Sequence, residues 1–162
     1  MEQYSMSRYH IHELFIKFLH QMEQYEDKES SAFLEELRKT VTVEAPMNMT
    51  DIHVIACIGH NEPIKLTSIA DKMELSKGNI SKVTTKLLKA GWLRKTQLND
   101  NKKEIFFRLT PSGKKLFIGH EELHLKAQEQ FLQFINPYKE AELEIIKSFL
   151  VELTKYYGKN DL

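Results

Sequence analysis

The chain has a single cysteine, Cys57, and therefore no internal disulfide. It has no apolar run approaching the ~18 residues that a membrane-spanning helix needs. Its first residues, MEQYSMSRYHIHEL, hold neither an apolar signal core nor a cleavage site. These absences set aside disulfide scaffolds, membrane proteins and secreted proteins, and leave the expectation of a cytoplasmic protein with no membrane partner. Internal repeats and low-complexity segments are missing too, which speaks against solenoids and disordered linkers. What remains is ordinary: 162 residues, 41% hydrophobic and 28% charged, enough for one domain with a real core or a core with an appended oligomerisation element.

There is no excess charge of either sign, with 23 Lys and Arg against 23 Asp and Glu, but the charges are unevenly placed. Between Ile64 and Lys115 stand 13 basic and four acidic residues, an excess of +9, and the rest of the chain carries −9. A basic middle between acidic arms suits a chain of which one part meets phosphate. Charge alone is equally compatible with a solvated surface, so the apolar pattern has to decide.

Ile11, Leu14, Phe15, Phe18, Leu19 and Met22 recur at helical spacing and predict an amphipathic helix, interrupted by the polar stretch QYEDKESS. A second short helical pattern follows at Phe33, Leu34 and Leu37 and leads to Pro46. Thr50 and Asp51 read as the start of a helix carrying Ile52, Val54, Ile55, Ala56 and Ile58, with Gly59 at its C-terminal cap. Then comes KLTSIADKMELSKGNISKVTTKLLKAGWLRK. Thr67 is placed to cap one short helix that buries Ile69, Ala70 and Met73. Ser76 is placed to cap the next, which buries Ile80, Val83, Leu87 and Leu88. Two helices across so tight a connection form a helix-turn-helix. Mostly off the apolar stripe of the second helix lie Lys77, Asn79, Ser81, Lys82, Thr85 and Lys86, which together with Ser76 are the candidates for contact with phosphate oxygens and base edges.

Gly91 ends that helix, and Trp92 to Leu98 and Glu104 to Thr110 read as two strands around the turn NDNKK. A hairpin directly after a recognition helix is a wing, with Asn101, Lys102 and Lys103 at its tip for the duplex backbone or minor groove. After Pro111, helical spacing runs from about Ser112 towards Phe134, breaks at Asn136-Pro137, and resumes from Leu143 to Tyr157. The fold expected is mainly α with a small β-wing: a winged helix-turn-helix core over residues 46–111, with helical dimerisation regions at 1–45 and 112–162. Apolar stripes on the terminal helices exceed what a small winged-helix core can cover, so a partner surface is their natural place. Cys57 is expected to point into the core as a small hydrophobe, Trp92 to anchor the wing to the recognition helix, and Phe131, Phe134, Tyr156 and Tyr157 to belong to a dimer core.

Taken together, S-x-x-x-I-S-K followed by L-x-K-x-G-W-L, and the L-T-P-S-G-K that ends the wing, resemble the MarR family of bacterial transcriptional regulators over nearly the whole chain. One departure is the wing tip, where lysines stand in place of the family's usual arginine. The resemblance implies a DNA-binding regulator, a repressor by expectation. It would act as a homodimer whose first and last helices interlock and whose recognition helices enter successive major grooves of double-stranded DNA. A small-molecule or metal effector, bound between the DNA module and the dimer helices, would alter their spacing. The alternative of another class is a winged-helix protein-interaction module that binds no DNA.

One motif stands apart. HEELH, residues 120 to 124, has the H-E-x-x-H spacing of a zinc protease. With seven His and 18 Glu, chance supplies such a match in roughly one chain in thirty. It also falls in a helix after a wing rather than in a cleft that could hold a substrate. No enzyme is expected, and Glu121 has no catalytic role. The resemblance does imply another use, because some zinc sensors of the family place histidines at the positions of His53, His120 and His124, with a glutamate from the preceding segment, here Glu35. Zinc is thus a candidate effector. Histidines hydrogen-bonded at a helix junction, or an organic-ligand site, are the alternatives.

Overall fold

The computed structural model describes residues 5–40, 46–98 and 104–158. Six helices and three short strands follow one another: α1 (Met6–Thr40), α2 (Met49–Asn61), β1 (Ile64–Lys65), α3 (Leu66–Met73), α4 (Lys77–Lys89), β2 (Leu93–Thr96), β3 (Phe106–Leu109), α5 (Pro111–Ile135) and α6 (Glu140–Gly158). The chain divides into two compact units, Met1–His120 and Glu121–Leu162.

In the first unit α2 is the central element. Ile52, Val54, Ile55 and Ile58 have no exposed surface, and they share one cluster with Ile69 of α3, Ile80 and Leu87 of α4, Leu93 and Phe107 of the sheet and Leu116 of α5. Burying a side chain of this size contributes about 1.5–3 kcal/mol each, so this cluster fixes the position of α4 against its neighbours. The sheet is antiparallel in the order β1-β3-β2. Leu93 pairs with Leu109 on the core face, and Arg94 with Arg108 on the other.

The fold departs from several of these expectations. The stretch QYEDKESS does not interrupt the first helix, because α1 runs unbroken for 35 residues. Polarity alone does not break a helix; Pro and Gly do, and neither occurs there. Within the stretch, the Tyr25 hydroxyl even donates to Glu29 one turn on, and that bond raises the Tyr25 pKa. Gly59 is not a cap but an interior residue of α2. A Cβ there would stand 2.6 Å from the Phe117 ring, so the glycine admits α5 at close range. The start of α2 is set by Asn48 rather than Thr50. Thr67 lies inside α3, whose N-cap is Lys65, with no side-chain cap. Strand β1 was not anticipated; two residues offer no alternation to detect, and its pairing with Phe106 and Phe107 lies 41 residues away in sequence at its closest.

In the second unit no described residue of α6 is buried in the single chain. Ile145, Phe149, Leu150, Tyr156 and Tyr157 are exposed, as are Phe131 and Phe134 of α5. The N-terminal half of α1 likewise exposes Ile11, Leu14, Phe18 and Leu19. No described helix is long and apolar enough to cross a membrane.

Candidate nucleic-acid interface

The helix-turn-helix is built by local chemistry that the sequence already contains. At the end of α3, Glu74 adopts a left-handed conformation (φ 53°), and Leu75 N–H returns to the Ala70 carbonyl at 3.1 Å, closing the helix in a tight turn. Two residues later Ser76 caps α4, its hydroxyl accepting from Asn79 N–H at 3.2 Å. The buried stripe of α4 is Ile80, Thr84 and Leu87. Thr84 was not foreseen as core; its hydroxyl donates to the Ile80 carbonyl at 2.8 Å, which satisfies the one polar atom and lets the side chain be buried.

Opposite that stripe, Lys77, Asn79, Ser81, Lys82 and Thr85 are all exposed. Ser76 is exposed as well, but its hydroxyl serves the cap. The Thr85 hydroxyl donates to the Ser81 carbonyl at 2.7 Å, leaving its oxygen to accept. Lys86 differs from the others. It is half-buried, and its ammonium group is bound by Asp51 of α2, a carboxylate only 1% exposed. The helix therefore presents Lys77, Lys82 and Lys89 to solvent while holding Lys86 back. The wing-tip residues Asn101, Lys102 and Lys103 lie outside the described residues.

The stem of the wing is described, and it is tied down at both ends. Trp92, 3% exposed, donates its N–H to the Leu87 carbonyl of α4 and accepts from Thr110 N–H, each at 3.0 Å, as expected of an anchor between helix and wing. The motif L-T-P-S-G-K then has a physical reading. Leu109 enters the core, Thr110 accepts from Gly113 N–H at 3.1 Å as a cap of α5, Pro111 occupies the first turn, and Gly113 passes so close to the Trp92 carbonyl that a Cβ would lie 2.1 Å from its oxygen. Glu62 fastens the same corner, accepting from Leu109 N–H at 2.7 Å and pairing with Lys114 at 3.5 Å.

Two basic residues of the wing stem count in the sequence only toward its charge and gain a place from the fold. Arg94 and Arg108 stand directly opposite each other on the outer face of the sheet. Like charges in that position repel unless an anion or solvent lies over them. Their proximity depends on strand register, which a count of basic residues does not contain. Between α4 and the inner face of the wing there is also a cleft of about 280 Å³, with Ser81, Thr85, Leu88, Lys95 and Phe107 among its walls.

The histidines are partly gathered. His53 of α2 and His120 of α5 meet edge to face with ring centroids 5.6 Å apart, and Phe33 of α1 lies 5.8 Å from His120. His120 is buried and His53 exposed. Glu35 is exposed on α1, and His124 is exposed one helical turn beyond His120, in the second unit. Among the described residues no three His, Cys, Asp or Glu side chains come together as a metal would require. Two imidazoles are short of the three or four protein ligands zinc takes. Cys57 is half-buried, and desolvation pushes its thiol pKa up against the opposing effect of Lys72, the reverse of a reactive thiolate.

A family model described as MarR matches residues 47–105, which run from just before α2 to the start of β3. The chain is 45% identical over 154 residues to the HTH-type transcriptional regulator YhjH of Bacillus subtilis (strain 168), spanning 92% of this chain and 87% of that protein. It is 42% identical over 144 residues to the HTH-type transcriptional regulator PchR of the same organism, spanning 89% and 85%. In fold it is similar to the zinc-responsive MarR family member ZitR of Lactococcus lactis, with a TM-score of 0.71 at 15% identity over 91% of this chain and 99% of that one. It is similar also to FabT of Streptococcus pneumoniae in its complex with DNA, with a TM-score of 0.66 at 14% identity over 90% and 98%. The relatives are transcriptional regulators and not enzymes, which removes HEELH from consideration as a catalytic motif. With its helix-turn-helix, its wing and these relatives, the chain belongs to the MarR family of winged helix-turn-helix transcriptional regulators.

Proposed function

We propose that the protein is a cytoplasmic, sequence-specific DNA-binding repressor that acts as a homodimer and answers to a small effector. The observation that carries this reading is the exposed face of α4, where Lys77, Asn79, Ser81, Lys82 and Thr85 stand together on a helix fixed by its core stripe and its cap. Such a face fits the major groove, with lysines on phosphates and Asn79 and the hydroxyls on base edges. Lys102 and Lys103, with Asn101, are the wing-tip contacts of this reading, and Arg94 and Arg108 add cationic reach along the backbone. Residues 46–111 form the DNA-binding part, and 1–45 and 112–162 the dimerisation part. The exposed apolar side chains of α1, α5 and α6 support that division, since a monomer rarely leaves so many in water. Two proteins of similar fold, FabT and ZitR, have structures in complex with DNA, which supports the reading.

The test is duplex binding followed by fluorescence anisotropy, with a probe selected from a random library by the wild-type protein. Lys82→Ala should weaken binding several-fold and flatten its salt dependence, by about one charge per protomer. Equal affinity in that variant would remove α4 from the interface. If the wild-type protein selects no duplex even at low salt, the protein-interaction module becomes the better account.

A second reading takes zinc as the effector, favoured by one observation, the His53–His120 pair. In it these two are ligands, and Glu35 and His124 are the candidates for the rest. Elemental analysis of protein purified without chelator, beside a His53→Ala/His120→Ala variant, tests it. Zinc in the first and not the second is expected; equal content in both would end the zinc reading.

A further inference from the structure

Asp51 is among the most deeply buried polar side chains described in the molecule, with 1% of its surface exposed. A carboxylate at such a position costs several kcal/mol unless its oxygens are satisfied, so its partners show what it does. Its own N–H donates to Asn48 Oδ1 and its Oδ2 accepts from Asn48 N–H, each at 2.9 Å, a reciprocal cap that fixes the start of α2. The same Oδ2 binds the ammonium group of Lys86. Lys86 lies in the last turn of α4, one residue from Thr85 and one turn beyond Lys82, both on the exposed face. A single oxygen thus joins the rigid start of α2 to the recognition helix, 35 residues away in the chain.

We infer that Asp51 is a positioning residue for DNA recognition, acting through Lys86 to set the pitch and rotation of α4, and that Lys86 is consequently not a phosphate contact. Apolar packing against Ile80 and Leu87 holds α4 on the core but is tolerant of small rotations about its axis. A charge-assisted bond at one edge of the helix is directional and removes that freedom. Base edges are read by short hydrogen bonds that fail over about an ångström, whereas phosphate attraction is forgiving of such shifts. The lock should therefore matter for sequence discrimination and little for general affinity. This inference rests on the DNA-binding reading above, and its test separates the two.

The experiment compares wild type, Asp51→Asn and Lys86→Gln by anisotropy on two duplexes: the best sequence the wild-type protein selects from a random library, and a scrambled one of equal length. Salt is varied for each, and thermal unfolding followed by circular dichroism establishes that each variant is folded at the assay temperature. Lys86→Gln leaves the Asn48–Asp51 cap in place, so it carries the test should Asp51→Asn fail to fold. Both variants should lose about ten- to a hundredfold on the selected duplex, the equivalent of one or two base contacts. They should keep wild-type affinity for the scrambled duplex and an unchanged salt slope. If Lys86→Gln weakens both duplexes alike and flattens the slope by about one per protomer, Lys86 is a phosphate contact and the inference is wrong. If the variants melt earlier yet keep the wild-type ratio between duplexes, the pair is a stability element only, and the inference is equally wrong. A wild-type protein that selects no duplex overturns the DNA-binding reading, and the inference with it.

Discussion

Gly113 illustrates how a single residue can be fixed by a neighbour distant in sequence. Inside a helix, Gly→Ala ordinarily stabilises by about 1 kcal/mol. Here the added methyl would lie 2.1 Å from the Trp92 carbonyl oxygen, a backbone atom that cannot swing aside. Gly113→Ala should therefore destabilise the fold by at least about 2 kcal/mol, read as a lower urea midpoint; a midpoint that rises would refute the close packing of α5 on the wing. Lys86 is the converse case. Helical periodicity sets it beside the DNA-facing side chains of α4, but its partner Asp51 is a tertiary neighbour that periodicity cannot reveal. Thr84 escaped for a related reason: counted as polar, it is buried because the helix itself satisfies its hydroxyl.

Among the elements, the recognition helix was the most readable, since Ser76, Ile80, Leu87 and Gly91 each mark it by a local rule of capping, periodicity or left-handed termination. Ser76→Ala should cost about 1 kcal/mol of stability, measured by chemical unfolding. A neutral result would show that the cap contributes nothing and would leave the Ser76 hydroxyl available for a phosphate. The wing was legible too, as two strands around the turn NDNKK; Phe107 and Leu109 face the core, while Ile105 just before β3 is exposed. In the first helix the polar stretch QYEDKESS suggests a break that the fold does not have. Its charged residues favour helix, and Phe33 near its far end is buried in the core. The histidine site was half legible. His53 and His120 do come together, as the resemblance implies, while the exposure of Glu35 and His124 is a property of the tertiary fold that local spacing does not contain.

For the whole molecule, the unevenness of charge and the exposed apolar helices are two halves of one design in the proposed reading: a basic module to meet DNA and an apolar surface to pair two copies. Dimerisation doubles the phosphate contacts available to a small module. Phe149→Glu, on a helix with no buried residue in the single chain, should halve the mass seen by light scattering and sharply weaken duplex binding; an unchanged mass would place the pairing surface elsewhere. The most direct measurement is the salt dependence of wild-type binding to its selected duplex. Lys77, Lys82, Lys102 and Lys103 from each of two protomers would give a log–log slope on the order of −7, steeper if Arg94 and Arg108 also reach the backbone. A slope near zero, or no binding at low salt, would contradict the account.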